Sequence, residues 1–107
     1  MYKWIYILRC CNNSLYTGST SNLQRRFLQH CTGKGAKYTR AFKPLMMVAC
    51  WQINEETGKA LTVEAKIKKL SRQQKEHLLQ HQDNIATILN LDMHIQTHPC
   101  VSIKQNK

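Results

Sequence analysis

From Tyr2 to Cys10 the side chains alternate. Tyr2, Trp4, Tyr6 and Leu8 fall on one face, and Lys3, Ile5, Ile7 and Arg9 on the other. A period of two marks a strand, and apolar residues on both faces near its middle mark one covered on two sides. Asn12-Asn13-Ser14 is turn material, and Leu15-Tyr16-Thr17 then resumes β-type residues. The two runs therefore read as a hairpin in which Tyr6 and Tyr16 can stand close together. Gly18 ends the second run, where the missing Cβ permits a bend or a close approach by phosphate or backbone.

The period then lengthens. Ser21-Asn22-Leu23-Gln24 fits a capping box with Ser21 as N-cap, opening a helix that runs to about Cys31 and stops at Gly33. Leu23, Phe27 and His30 or Cys31 form its inward stripe, and Arg26 lies one turn before His30 on the same flank. Gly33 to Arg40 is a basic, glycine-punctuated loop with a short helical turn at its end. Pro44 precedes the apolar run Leu45 to Trp51, a third and central strand. Ala60, Val63, Ile67 and Leu70 carry a helical stripe over 57–70, with Glu64 beside it. Ser71 caps a further helix to Gln80, and Ile85, Ile88, Leu89 and Leu91 mark another short one. These elements place one domain over 1–91, and 92–107 reads as a partly ordered tail.

Composition narrows the partner. The chain has 107 residues, 42% of them hydrophobic and 21% charged, as expected of one folded domain. No apolar run approaches the roughly 20 residues that cross a bilayer, and the start is too soon interrupted by Arg9 to be a secretory signal. A cytoplasmic protein away from the membrane is the expectation. Sixteen Lys and Arg against six Asp and Glu give a net charge of +10, which favours a polyanion, nucleic acid before a membrane surface. Eleven of those cations fall between Arg25 and Arg72. The five cysteines match neither a disulfide framework nor a common zinc site, so reduced thiols are expected.

Chemistry gathers on five side chains: Tyr6, Tyr16, Arg26, His30 and Glu64. Hydrolysis of a phosphodiester needs a water deprotonated, a pentacovalent phosphate stabilised and a leaving alkoxide neutralised. Mg²⁺ or Mn²⁺ serves the last two needs, and Mg²⁺ accepts one protein carboxylate with waters and phosphate completing its octahedron, so Glu64 suffices as metal ligand. Arg26 offers a bidentate fork for phosphate. His30 or a tyrosine would take the proton; a phenol of pKa about 10 becomes a plausible base only beside cations. Lys34, Lys37, Tyr38 and Arg40 of the basic loop, with Lys68, are the candidate nucleic-acid contacts, and the loop lacks the lysine–hydroxyl ending of a nucleotide P-loop. Each residue also has an ordinary reading: Glu64 with Lys68 is an i,i+4 surface pair, Tyr6 and Tyr16 suit cross-strand packing, and Arg26 and His30 suit a helix flank.

The ordered set decides between them. Trp4-Ile5-Tyr6, then Tyr16-Thr17-Gly18, then Arg26, His30 and a helical Glu64 resembles the GIY-YIG nuclease superfamily over roughly residues 3–80. The runs Leu15–Gly18, Gly33–Arg40 and Ile67–Leu70 are similar to its small single-domain bacterial members. The resemblance implies an α/β (α+β) fold, a three-stranded antiparallel sheet flanked by helices, and cleavage of DNA through one divalent metal. It implies that Tyr6 and Tyr16 are the motif tyrosines, Arg26 the phosphate-binding arginine, His30 the frequent helix histidine and Glu64 the metal ligand. Relatives act in DNA repair, branch resolution, homing and restriction. Trp4 and Thr17 depart from the motif, and the asparagine many members carry after the glutamate has only Gln80 and Asn84 as counterparts. With no second DNA-binding domain expected, target choice falls to the Gly33–Arg40 loop or to an accessory protein. The competing expectations are a nucleic-acid-binding module without turnover and a basic scaffold without a nucleic-acid role.

Overall fold

The computed structural model describes residues 2–98; the residues after His98, including Cys100 and the end of the expected tail, lie outside the described residues. Strands β1 (Tyr2–Cys10) and β2 (Leu15–Thr20) form the expected antiparallel hairpin. Helices α1 (Leu23–Cys31) and α2 (Lys37–Ala41) lead to β3 (Pro44–Asn54). Then come α3 (Ala60–Lys69), α4 (Arg72–Gln80), α5 (Ile85–Ile88) and β4 (Gln96–His98). The sheet order is β2-β1-β3-β4, and every neighbouring pair is antiparallel.

The sheet thus has four strands where three were expected. The fourth falls in the stretch read as tail, and it carries no local sign of pairing because three residues cannot show a period. What makes it a strand is the free edge of β3, where Cys50, Trp51 and Gln52 meet His98, Thr97 and Gln96. Side chains lock the join: His98 Nε2 lies 3.0 Å from Gln52 Oε1, and the Trp4 and His98 rings meet edge to face at 4.8 Å. A second correction concerns α1, whose N-cap is Asn22, not Ser21. The Asn22 side chain accepts from the Arg25 amide at 3.1 Å. Asparagine competes well with serine at this position, and a one-residue shift is within the reach of local pattern. The Ser71–Gln74 capping box of α4 forms in full.

Period two on β1 divides the interior. Ile5 and Ile7 point with Ala49, Trp51 and Ile53 of β3 into a large cluster closed by Val63 and Ile67 of α3, Leu78 of α4 and Ile85 of α5. Tyr6 and Leu8 point the other way, onto Met47, Cys50 and Phe27 of α1. Gln82 staples the first side. Its carbonyl accepts from the Trp51 indole at 3.0 Å, and its amide donates to the carbonyls of Val48 and Leu79, each at 3.0 Å.

Candidate active site

The second side of the sheet is where the polar chemistry sits. Tyr6 is opposite Gly18 in the β1–β2 register. A Cβ at residue 18 would lie 2.5 Å from the Tyr6 hydroxyl, so the glycine exists to let the phenol lie over β2. The close approach foreseen for Gly18 is therefore made by a side chain, and Gly18 stands within β2 rather than at its end.

Period 3.6 brings α1 across this face with Phe27 and His30 inward. His30 is fully buried, and its Nε2 stands 2.7 Å from the Tyr6 hydroxyl. Its Nδ1 stands 2.7 Å from Thr39 Oγ1 of α2, and that hydroxyl donates in turn to the Ala36 carbonyl at 3.0 Å. Burial, helped by the Arg26 charge, lowers the imidazole to about 4, so it is neutral at physiological pH. Burial pushes the Tyr6 phenol up to about 12, against the pull of Arg26 and with the push of Tyr16 and Glu64. Tyr6 is thus linked, by charge or by hydrogen bond, to each of the other four expected residues.

Tyr16 is half-buried and meets the His30 ring edge-on at 5.4 Å. Its other flank stacks on Tyr38 at 6.0 Å and 16°. Arg26 donates to Gln29 Oε1 at 3.0 Å, a weak tether that a phosphate can replace. Glu64 arrives from α3 at the edge of the sheet, where Ser19 donates to its Oε1 at 2.7 Å and Lys68 pairs with its Oε2 at 2.8 Å. Burial works to raise this carboxyl, but the hydrogen bonds from Lys68 and Ser19 and the charges of Lys68 and Lys3 hold it below the ordinary range. It is an anion whenever the protein is folded near neutrality.

The expected nucleic-acid contacts divide. Lys34, Lys37 and Arg40 are exposed. Arg40 joins Lys43 along an open cleft of about 490 Å³ that runs beside His30, Cys31 and Thr39. Tyr38 is committed partly to structure: its hydroxyl donates to Ser14 Oγ at 2.6 Å and accepts from Asn12 Nδ2 at 3.2 Å, tying α2 to the hairpin turn. Lys68 is engaged with Glu64, as its i,i+4 spacing allows. Ser19, Gly35, Thr39 and Lys43 were not singled out by sequence. Ser19 is found only through the strand register, and Thr39 only once α2 packs on α1.

Among the described residues no three His, Cys, Asp or Glu side chains gather into a metal cage. Glu64 alone suits a hard cation that keeps most of its water. It is anionic, and each of its oxygens retains a lone pair beyond the one already engaged.

A hairpin and helix that converge two tyrosines, a histidine and an arginine, with a carboxylate brought in by a later helix, define a mixed α/β domain with a phosphate-compatible site. This chain belongs to the GIY-YIG family: the GIY-YIG catalytic domain matches residues 2–77. It is similar to UPF0213 protein BH0048 of Halalkalibacterium halodurans, 43% identical over 79 residues, or 74% of this chain and 83% of that one. UPF0213 protein H16_B0156 of Cupriavidus necator is 45% identical over 73 residues, covering 67% and 77% of the two chains. UPF0213 protein NP_0776A of Natronomonas pharaonis is 41% identical over 76 residues, covering 71% and 88%. The solution NMR structure of UPF0213 protein BH0048 from Bacillus halodurans covers 86% of this chain and 100% of its own, with 38% identity and a TM-score of 0.50. No helix among the described residues is long and apolar enough to cross a membrane.

Proposed function

We propose that this protein is a divalent-cation-dependent endonuclease that hydrolyses phosphodiester bonds in DNA, acting in the cytoplasm in repair or recombination. The single domain expected over 1–91, with Gln96–His98 added to its sheet, would carry the activity. The observation that supports this most is the 2.7 Å contact between Tyr6 and His30 beside Arg26, a phenol already joined to a base that can take its proton. Tyr6 is then the general base toward water and His30 the acceptor behind it. Arg26 holds the scissile phosphate, and Glu64 is the ligand of Mg²⁺ or Mn²⁺. The cation, when bound at Glu64, supplies charge stabilisation of the phosphate and of the leaving oxygen.

With the phenol at about 12 and the imidazole at about 4, the proton stays on Tyr6. A phosphate beside Arg26 and His30 favours imidazolium, and positive charge near Tyr6 favours phenolate. Because a phosphate anion raises the phenol as well as the imidazole, the positive charge that favours phenolate would have to come from the cation at Glu64. The exposed cations Lys34, Lys37 and Arg40, with Tyr38 39% exposed at their centre, would grip the strand outside the site, and an accessory protein would add target choice.

The reading of a nucleic-acid-binding module without turnover has one observation on its side, the Lys68 ammonium already seated on Glu64. Labelled single-stranded, duplex, flap and four-way-junction DNAs, incubated with Mg²⁺, Mn²⁺ or EDTA, decide between the two. Metal-dependent cutting that falls at least roughly 10²-fold in both Glu64→Ala and Tyr6→Phe is the expected result. Salt-sensitive binding with no cutting by the wild type would establish the binding module instead.

A further inference from the structure

Neutral histidine has one N–H and one lone pair, and its partners decide which nitrogen holds which. His30 has two partners within the interior, Tyr6 at Nε2 and Thr39 at Nδ1, each at 2.7 Å. A phenol can give its proton only to a nitrogen with a free lone pair. The Tyr6–His30 contact is therefore productive in one tautomer and idle in the other.

We infer that Thr39 is the positioning residue that fixes His30 as the Nδ1–H tautomer and so aims its Nε2 lone pair at the Tyr6 hydroxyl. The hydroxyl of Thr39 has a single hydrogen, and it is directed at the Ala36 carbonyl, 3.0 Å away, one turn back on α2. What remains toward His30 is lone pair, so His30 Nδ1–H donates and Thr39 Oγ1 accepts. Nε2 is then left as acceptor, and Tyr6 O–H donates to it. The relay runs in one direction, Tyr6 to His30 to Thr39 to the Ala36 carbonyl, and ends on a backbone oxygen that cannot pass a proton on. Thr39 is 1% exposed and His30 0%, so no bulk water competes for either nitrogen.

Gly35 makes the arrangement possible. A Cβ there would collide with His30 Nδ1 and would stand 2.9 Å from the His30 Cα. Any larger residue would lift the 33–40 loop off the ring and carry Thr39 out of reach. The loop expected to grip phosphates therefore has a second task on its inner side, holding the histidine.

The inference rests on the proposed nuclease chemistry for its purpose, but its test does not need turnover. Long-range ¹H–¹⁵N correlation spectra of ¹⁵N-histidine-labelled protein at pH 7 read the His30 tautomer directly. Wild type and Thr39→Ser are expected to show Nδ1–H alone, and Thr39→Val, which keeps the shape but offers no acceptor, is expected to show Nε2–H or a mixture. A wild-type spectrum with the proton on Nε2 overturns the inference even if the valine variant does not fold. So does a folded Thr39→Val that keeps the pure Nδ1–H form. In the cleavage assay, kcat is expected to fall roughly 10²-fold in Thr39→Val with KM held, and serine is expected to restore it. The expected tautomers without cleavage by the wild type would sink the nuclease reading and leave the Thr39 assignment standing.

Discussion

The two sides of β1 are built from alternate residues of one strand, yet they are different materials. Against α3, α4 and α5 lie Ile5, Ile7, Trp51, Ile53, Val63, Ile67, Leu78 and Ile85, all fully or almost fully buried and nearly all pure hydrocarbon. Against α1 and α2 the buried set is smaller, and it includes a phenol, an imidazole and a threonine hydroxyl joined in a chain. The first side gains from every buried methylene and asks only for shape. The second buries polar groups that are tolerable only because each finds a partner. Stability is concentrated on the side that brings only Glu64, at its edge, to the candidate set, and that lets the other side keep groups that a minimal core would not choose.

The contrast can be broken by truncating the apolar side. Leu78→Ala empties a fully buried position on α4, away from the tyrosines, and is expected to cost about 2–5 kcal/mol in urea unfolding. Turnover per folded molecule should stay at the wild-type level. A matching loss of specific activity would mean that the two sides are not separable.

Acid probes the polar side. His30 falls from the ordinary 6.5 to about 4 in the folded protein, so below 6.5 the unfolded chain takes up a proton that the folded one refuses. That stability is complete above pH 6.5 and is lost as pH falls toward 4, on the order of 3 kcal/mol in all. The carboxyl of Glu64 is held low by its partners, and its contribution too is lost as pH falls, but in the carboxylate range. Denaturant titrations from pH 7 to 4 should therefore show a slope above pH 5 that His30→Gln removes. An unchanged slope in the variant would mean that the imidazole is not buried neutral.

A smaller effect tests the exception on the apolar side. Thr17 pairs with Ile7 in the register, is 3% exposed, and has a hydroxyl with no hydrogen-bond partner among the described residues. Thr17→Val should stabilise the fold by about 1 kcal/mol, read as a higher denaturation midpoint with unchanged activity. Destabilisation would show that the hydroxyl has found a partner, such as a buried water.

Much of this was legible in advance, for reasons of range. The hairpin, the inward face of α1, the apolar β3 and the N-cap at Ser71 rest on neighbours within a few residues, which periodicity and capping chemistry report well. Sequence order also brought Tyr6, Tyr16, Arg26, His30 and Glu64 together as candidates. Contacts set by packing were not legible. Nothing local marks Thr39 among the residues of a basic loop, or Ser19 at the end of a strand, and the three residues of β4 are too few to carry a pattern.

By itself, then, the sequence determined the elements other than β4, which side of each turns inward, and which functional groups the chain possesses. Tertiary structure alone decided that Gly18 yields to a phenol, that Gly35 lets a loop close on an imidazole, and that β4 completes the sheet. It also decided the partners on the two nitrogens of His30. The physical reason is distance along the chain. Local preferences act over one or two turns, whereas a histidine's proton is placed by residues 24 positions before it and 9 after it, which meet only when the sheet and its helices pack.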